Sequence, residues 1–346
     1  MTVVKEVNLY SCGKHEEFLS LGVLRKLQGM DLRKPMHQVI DGVPRCLFIV
    51  PETLRENLKF RAQKGDVIQS AFPKSGTHWM MYIVLLNLRE GEAMTTYEEF
   101  AKEYRLIEYA DIKGWKSCLP MRTFATHLPL SETISEEGKY IYVARNPWDV
   151  CVSMYHMVTN LSSYEYQDAT FEEFVNVFVS GNFGYGDYFE HVALAYNIRQ
   201  QPNVLFVTYE EMKKDTRDVI IKVAHFLGER YERALLEDET VLHKMLESSK
   251  AERMRNVAVV DFRKSRSPHG KKVLDRSLIT CKQGYEGDQR KYGLVRTAKV
   301  GGWKEHFTPE LLRRMEARIS EAETVSSFMD LWKDIRAEAF KLSQGV

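Results

Sequence analysis

The sequence predicts an α/β fold, a single domain with a central, mostly parallel β-sheet flanked by helices. Three observations predict it. Short runs of β-forming residues at 66–72, 139–144 and 203–208 are each followed by a helical pattern. These runs are mostly apolar, as suits strands covered on both faces. The chain has 346 residues, 44% hydrophobic and 28% charged, which is ordinary for a globular α/β protein that stays one domain.

Taken in order, residues 1–40 read as an N-terminal arm, and the domain spans 41–346. Within the arm, Phe18, Leu21, Leu24 and Leu27 fall on one face of a short helix over 18–30. Residues 51–62 read as a helix with Pro51 near its start. The strand at 66–72 is stopped by Pro73, which cannot donate to a ladder. From Thr77 a helical pattern sets Met80, Ile83, Val84 and Leu86 to Leu88 on a broad apolar face. A second helix covers 96–104, capped by Thr95 or Thr96. Residues 105–120 read as irregular, with Leu106, Tyr109 and Trp115 exposed or lining a pocket. A short strand at 122–126 ends at His127. After the strand at 139–144, Asn146 suits an N-cap, Pro147 the first helical position and Asp149 the first turn. That helix runs toward Thr159 and carries Ser153.

Residues 160–170 form a loop over a cleft, and 181–187 are glycine-rich and expected to move. Helices are predicted at 171–178, 188–199, 216–226 (with Gly228 as its stop), 229–249, 307–319 and 325–340. Between them, 252–295 is rich in Lys and Arg and reads as a solvated segment. It leads to a basic loop, RTAKVGGWK, at 296–304.

The stretch AFPKSGTHW, at 71–79, concentrates the chemistry. A strand, a glycine-containing loop and a helix follow one another, so the unpaired N–H groups of the helix start face whatever sits in the loop. Gly76 lets backbone approach a ligand closely. Ser75 and Thr77 add hydroxyl donors, and Lys74 adds a mobile positive charge. This is a phosphate-binding strand–loop–helix, but not the G-x-x-x-x-G-K-[ST] nucleotide loop, because the lysine precedes the glycine. A kinase or GTPase is therefore disfavoured. His127 lies just past a strand's end, where parallel sheets bind their ligands.

Composition sets further limits. Lys plus Arg number 49 and Asp plus Glu 48, which disfavours a nucleic-acid binder driven by bulk charge. The five cysteines are scattered without C-x-x-C spacing, so they read as reduced thiols, and no metal-ligand cluster stands out. Residues 1–9 lack the apolar segment of a secretory signal, and no run is long enough to span a membrane. These features point to a cytoplasmic protein without membrane partners.

Several separated stretches together resemble one family. AFPKSGTHW, THLP at 126–129, YVARNPWDVCVSMYH at 142–156, FVTYEEM at 206–212 and RTAKVGGWK at 296–304 fall in the order and spacing of the cytosolic sulfotransferases. The resemblance covers roughly residues 41–332. It implies transfer of a sulfuryl group from 3′-phosphoadenosine 5′-phosphosulfate (PAPS), leaving PAP, to a hydroxyl or amine. By this resemblance Lys74, Ser75, Gly76, Thr77 and Trp79 hold the 5′-phosphosulfate and adenine side. His78 stands where the family has a threonine. Arg145, Ser153 and Arg296 bind the 3′-phosphate, and Tyr209 contacts the adenine. Ser248 and Ser249 are similar to the family's Thr-Ser pair, followed by Lys250 in place of an aromatic. Thr297 and Ala298 replace a lysine and a glycine, and Ala125 replaces a lysine. The family's dimer signature begins at Lys304, but Pro309 and Arg313 replace its valine and glutamate, which implies a monomer or weak dimer.

Chemistry fits the same roles. Sulfuryl transfer depends on in-line positioning and on charge stabilisation at the leaving oxygen, which Lys74 can supply without a divalent metal. His127 is the expected general base, a role worth about 10²–10⁴-fold in rate. The expected acceptor is a phenol, catechol, catecholamine or similar aromatic alcohol, held by Phe48, Leu106, Tyr109, Trp115 and the 157–166 loop, with Glu165 a possible partner for an amine. A phosphate-loop kinase and a non-catalytic carrier of small ligands are the alternatives.

Overall fold

The computed structural model describes residues 32–130, 134–264 and 275–345, and the short helix expected at 18–30 lies outside them. The chain opens with an antiparallel pair, β1 (Gln38–Ile40) and β2 (Val43–Arg45). The main sheet follows: β3 (Asp66–Ser70), β4 (Tyr104–Leu106), β5 (Arg122–Thr126), β6 (Lys139–Ala144) and β7 (Val204–Thr208). Its five strands lie in the order β4-β5-β3-β6-β7, and every neighbouring pair is parallel. A last antiparallel pair joins β8 (Val259–Asp261) to β9 (Lys291–Gly293).

Both faces of the sheet are covered. Along β6, Tyr140, Tyr142 and Ala144 enter one core, while Ile141 and Val143 enter the other. This two-sided burial explains why the strand reads as an unbroken β-forming run. Register between β3 and β5 is pinned at their starts, where the Arg122 guanidinium grips both oxygens of buried Asp66 at 2.7 Å. The chain leaves β3 toward β4 and β5 on one side and later returns to β6 and β7 on the other. The carboxyl end of β3 is therefore the switch point of the sheet.

The strands β5 and β6 fall where the sequence puts them. Elsewhere bounds shift. The β3 ladder ends at Ser70 rather than at residue 72, because residues 71 and 72 already turn toward the loop. The helix expected over 51–62 closes at Asn57. The one expected over 96–104 is Tyr97–Lys102, capped by Thr96, because Tyr104 already starts edge strand β4, which runs to Leu106 in the stretch read as irregular. The span 229–249 divides at Asp238, whose carboxylate caps a new helix at Thr240. The final segment is a 3-10 turn, Phe328–Trp332, followed by helix Lys333–Ser343. The segment read as solvated contains helix Ala251–Val257 and both strands of the last antiparallel pair. The glycine-rich 181–187 stretch is packed: Phe183 is buried, and Asp187 caps helix Tyr188–Asn197 while pairing with Arg318 at 2.7 Å.

Helix Thr77–Leu88 is not amphipathic. All its residues except His78 and Trp79 are buried, because it lies between the sheet and helix Thr216–Leu227. A helix enclosed this way projects its N-terminus from a rigid base.

Candidate active site

The loop between β3 and helix Thr77–Leu88 bends through two left-handed residues, Lys74 (φ 69°) and Gly76 (φ 111°). Gly76 is required twice over. Its φ suits glycine, and a Cβ there would stand 2.9 Å from the Tyr209 ring. Gly76 is also the helix N-cap and offers no side chain, so nothing local caps the first amides. Among the described residues, three buried polar atoms around this loop have no hydrogen-bond partner: Ser75 Oγ, Thr77 Oγ1 and Arg145 Nε. Unsatisfied buried donors are costly, and an anion bringing acceptor oxygens removes that cost. The donor set thus fits a phosphate or sulfate group.

Arg145, at the end of β6, is fixed in place. It donates to the Lys74 carbonyl at 3.2 Å and the Lys299 carbonyl at 2.9 Å, and its guanidinium lies 4.4 Å above the Tyr209 ring. Tyr209 meets Trp79 edge-to-face at 5.6 Å. The Lys74 ammonium leans on the Leu294 carbonyl at 3.5 Å and on the Tyr292 ring. Burial, followed by the fields of Arg145 and Arg296, lowers its pKa to about 8. A lysine depressed by burial and by two neighbouring guanidinium groups sits in a site suited to negative charge.

His127 follows β5 directly. Its Nδ1 lies 2.8 Å from the Ala71 carbonyl. A carbonyl only accepts, so Nδ1 carries the hydrogen, and Nε2 is the nitrogen left to take up a proton. Its backbone is held from both sides. The amide donates to Glu108 Oε1, and the carbonyl accepts from His191 Nε2 at 3.1 Å. His191 in turn accepts from the Tyr142 hydroxyl at 2.7 Å, and burial lowers its pKa to about 4, so it stays neutral. Burial raises the pKa of the Glu108 carboxyl.

These two halves open onto one cleft of about 330 Å³. Lys74, Gly76, Thr77, His78, Trp79, His127, Arg145, Ser153, Tyr209 and Arg296 line it, as do Phe48, Leu106 and Tyr109. Three of the residues expected on the donor side do not. Ser75, within the loop, is fully buried and does not reach the cleft surface, although its Oγ is without a partner among the described residues. Ser249 stands behind Trp79, its carbonyl accepting the indole N–H at 2.9 Å. Ser248 ends a helix off the cleft. Trp115 packs on Phe124 beneath Arg105 instead of facing the cleft. Glu165 is exposed and also lies off it. The 157–166 loop contributes Met157, Leu161 and Tyr164 to the lining, as expected. Sequence reading missed Lys213, Tyr185, Arg276 and Tyr292 on the lining, and Glu108 and His191 behind it; no local pattern marks any of them. Among the described residues no group of three or more His, Cys, Asp or Glu could hold a metal ion.

The positions that depart from the family pattern have distinct settings. Burial, with the neighbouring His127 and Lys74, lowers the pKa of His78 to about 3, so it is neutral. Ala125 is fully enclosed in β5. Ala298 takes φ 56°, a conformation that favours glycine. Lys250 pairs with Glu247 at the surface.

A parallel sheet with a glycine loop, a bare helix start and clustered cations at its switch point defines an α/β protein built to receive a phosphate-like anion. The chain belongs to the sulfotransferase family, and its residues 64–328 match the family's sulfotransferase domain. It is 33% identical over 273 residues to the 3-alpha-hydroxysteroid sulfotransferase of Cavia porcellus, a match covering 75% of this chain and 84% of the relative. Sulfotransferase 1C2 of Oryctolagus cuniculus is 29% identical over 288 residues, with 80% and 89% covered. Among solved structures, mouse sulfotransferase SULT7A1 complexed with PAP matches with a TM-score of 0.63 at 25% identity, covering 86% of this chain and 99% of that one. Retinol dehydratase, solved with retinol and PAP, shares the fold at a TM-score of 0.61 and 22% identity, covering 81% of this chain and 88% of that one.

Proposed function

We propose that this protein transfers the sulfuryl group of PAPS to the hydroxyl of a small aromatic acceptor, a phenol, catechol or similar alcohol. The observation that carries the reading is one cleft shared by the Lys74 loop and His127, whose Nε2 is left to take up a proton. The PAP bound to mouse SULT7A1 and the names of the relatives support the sulfuryl-transfer part of the reading; the aromatic lining of the cleft supports the acceptor class.

In this reading Lys74, Ser75, Gly76 and Thr77 hold the 5′-phosphosulfate, and neutral His78 donates a hydrogen bond where a threonine hydroxyl is usual. Trp79 and Tyr209 flank the adenine, with Ser249 fixing the Trp79 indole and Ser248 ending the helix behind it. Arg145, Ser153 and Arg296 take the 3′-phosphate. When bound, PAPS supplies a sulfuryl group on a phosphate leaving group. His127 Nε2 accepts the acceptor's proton, and the Ala71 carbonyl holds the ring in the tautomer that allows it. Lys74 neutralises charge developing at the leaving oxygen. The reaction requires no metal. The protein acts in the cytoplasm as a monomer or weak dimer; among the described residues no helix is long and apolar enough to cross a membrane.

Transfer of radiolabelled sulfate from PAPS to phenolic acceptors, with and without a chelator, tests the activity. His127→Ala is expected to lose at least about 100-fold in kcat while binding PAP as tightly as the parent. Near-normal kcat in that variant would remove His127 from the role of base.

A further inference from the structure

We propose that the acceptor carries an anionic group, a carboxylate or sulfonate, at the end remote from its reacting hydroxyl, and that Arg276 selects it. The proposal rests on the sulfuryl-transfer reading and narrows its substrate class.

Charge on the cleft has one sign. Lys74, Arg145, Lys213, Arg276 and Arg296 line it, and none of the described lining residues is an aspartate or glutamate. Four of these cations belong to the pole proposed for the donor. The fields of Arg145 and Arg296 act on Lys74, and Lys213 lies over Trp79 at 5.7 Å. Arg276 is reached from His127 along a chain of aromatic contacts that includes none of these four cations. The Tyr185 ring lies edge-on to His127 at 6.4 Å. The Tyr185 hydroxyl is 2.9 Å from that of Tyr164. The Tyr164 ring meets Phe48 edge-on at 6.0 Å, and the Arg276 guanidinium sits 5.3 Å over Phe48. Arg276 is also near enough to Tyr97 to oppose the rise in phenol pKa that burial causes there.

An acceptor lying along this wall with its hydroxyl at His127 reaches Arg276 with its far end. The wall between them is aromatic, so the body of the acceptor is apolar. A neutral far end would cover the guanidinium with carbon and forfeit hydration without return. A carboxylate or sulfonate there forms charge-assisted hydrogen bonds instead. A guanidinium has five N–H donors, so the acceptor can share it with the contacts that Arg276 makes within the chain. Glu165, the carboxylate expected to pair with an amine, lies off the cleft, and none of the described lining residues is an aspartate or glutamate that could take its place. An all-cationic cleft also draws anions in from solution.

The test uses one rigid scaffold with three ends: 4′-hydroxybiphenyl-4-carboxylic acid, its primary amide, and 4′-(aminomethyl)biphenyl-4-ol. Each is assayed for kcat/KM with PAPS and for binding to the PAP-loaded protein by calorimetry. The acid is expected to exceed the amide by about tenfold in both, the increment of a modest ion pair, and the amine to rank last. Arg276→Met brings the acid-to-amide ratio near one, Arg276→Lys keeps part of it, and Arg276→Glu turns the preference toward the amine. PAP affinity stays unchanged in all three and reports that they fold. Equal handling of acid and amide by the parent, or an unchanged ratio in Arg276→Met, overturns the proposal while leaving sulfuryl transfer intact. Acid-selective, Arg276-dependent binding without transfer to any acceptor upholds the anion preference and overturns the transfer reading.

Discussion

Three histidines of the same type have different fates here, and the difference lies in what surrounds each ring. His191 is an interior residue whose two nitrogens are both committed, one accepting and one donating. His78 faces the cleft, but burial keeps it neutral, so it can donate a hydrogen bond and cannot serve as a cation. Only His127 combines a fixed tautomer with a nitrogen left to take up a proton at the cleft. Ala298 is another residue whose setting decides its effect. An alanine at φ 56° costs about 1 kcal/mol that glycine does not incur. Ala298→Gly is therefore expected to raise stability by up to about 0.6 kcal/mol, after glycine's greater unfolded-state freedom is subtracted. Urea unfolding midpoints check it; a lower midpoint would show that the left-handed turn is not strained.

Two elements hold the site together. The helix start at Thr77 needs a neighbour without a side chain, and Gly76→Ala is expected to drive a methyl into the Tyr209 ring. Displacing that ring moves Arg145, which stacks on it, so PAP affinity should fall by more than about tenfold with a stability loss above about 1 kcal/mol. Unchanged PAP titration in this variant would show that the loop tolerates a wider turn. The start of helix Pro147–Asn160 is the other element. Asn146 caps it by accepting from the Asp149 amide, and its own amide group donates to Glu210 and Asp149. Asp149 in turn accepts from the backbone of Gly301 and Trp303, which hangs the 296–304 loop on this helix. Asn146→Ala is expected to cost about 1–2 kcal/mol in thermal or denaturant unfolding, the loss of a cap together with a buried network.

At the scale of the whole molecule, the depressed lysine ties stability to pH. Unfolded Lys74 holds its proton up to its ordinary pKa of 10.5, whereas the folded protein gives it up near 8. Between those values the unfolded state binds more protons, so this group makes unfolding harder as pH rises. The folded protein without PAP should therefore gain stability from about pH 8 to 10.5 relative to Lys74→Met, which lacks the contribution. Saturating PAP should remove the difference, because an anion keeps Lys74 charged. Melting temperatures of both proteins across that range, with and without PAP, give the comparison.

The sequence by itself determined the sheet's strongest strands, the helix start at Asn146 and the anion loop. Each is written in contiguous residues, where backbone hydrogen bonding and side-chain period act locally: 122–126 and 139–144 carry dense β-forming runs, and 71–79 holds its lysine, hydroxyls and glycine within one turn. Edge strand β4 escaped notice because three residues are too short to show a period. Tertiary structure alone decided what surrounds His127. Glu108, Tyr185 and His191 come from three different segments, and Arg276 reaches the same wall from far down the chain. None of these side chains has a local reason to be where it is, since packing of two cores against one sheet brings them together.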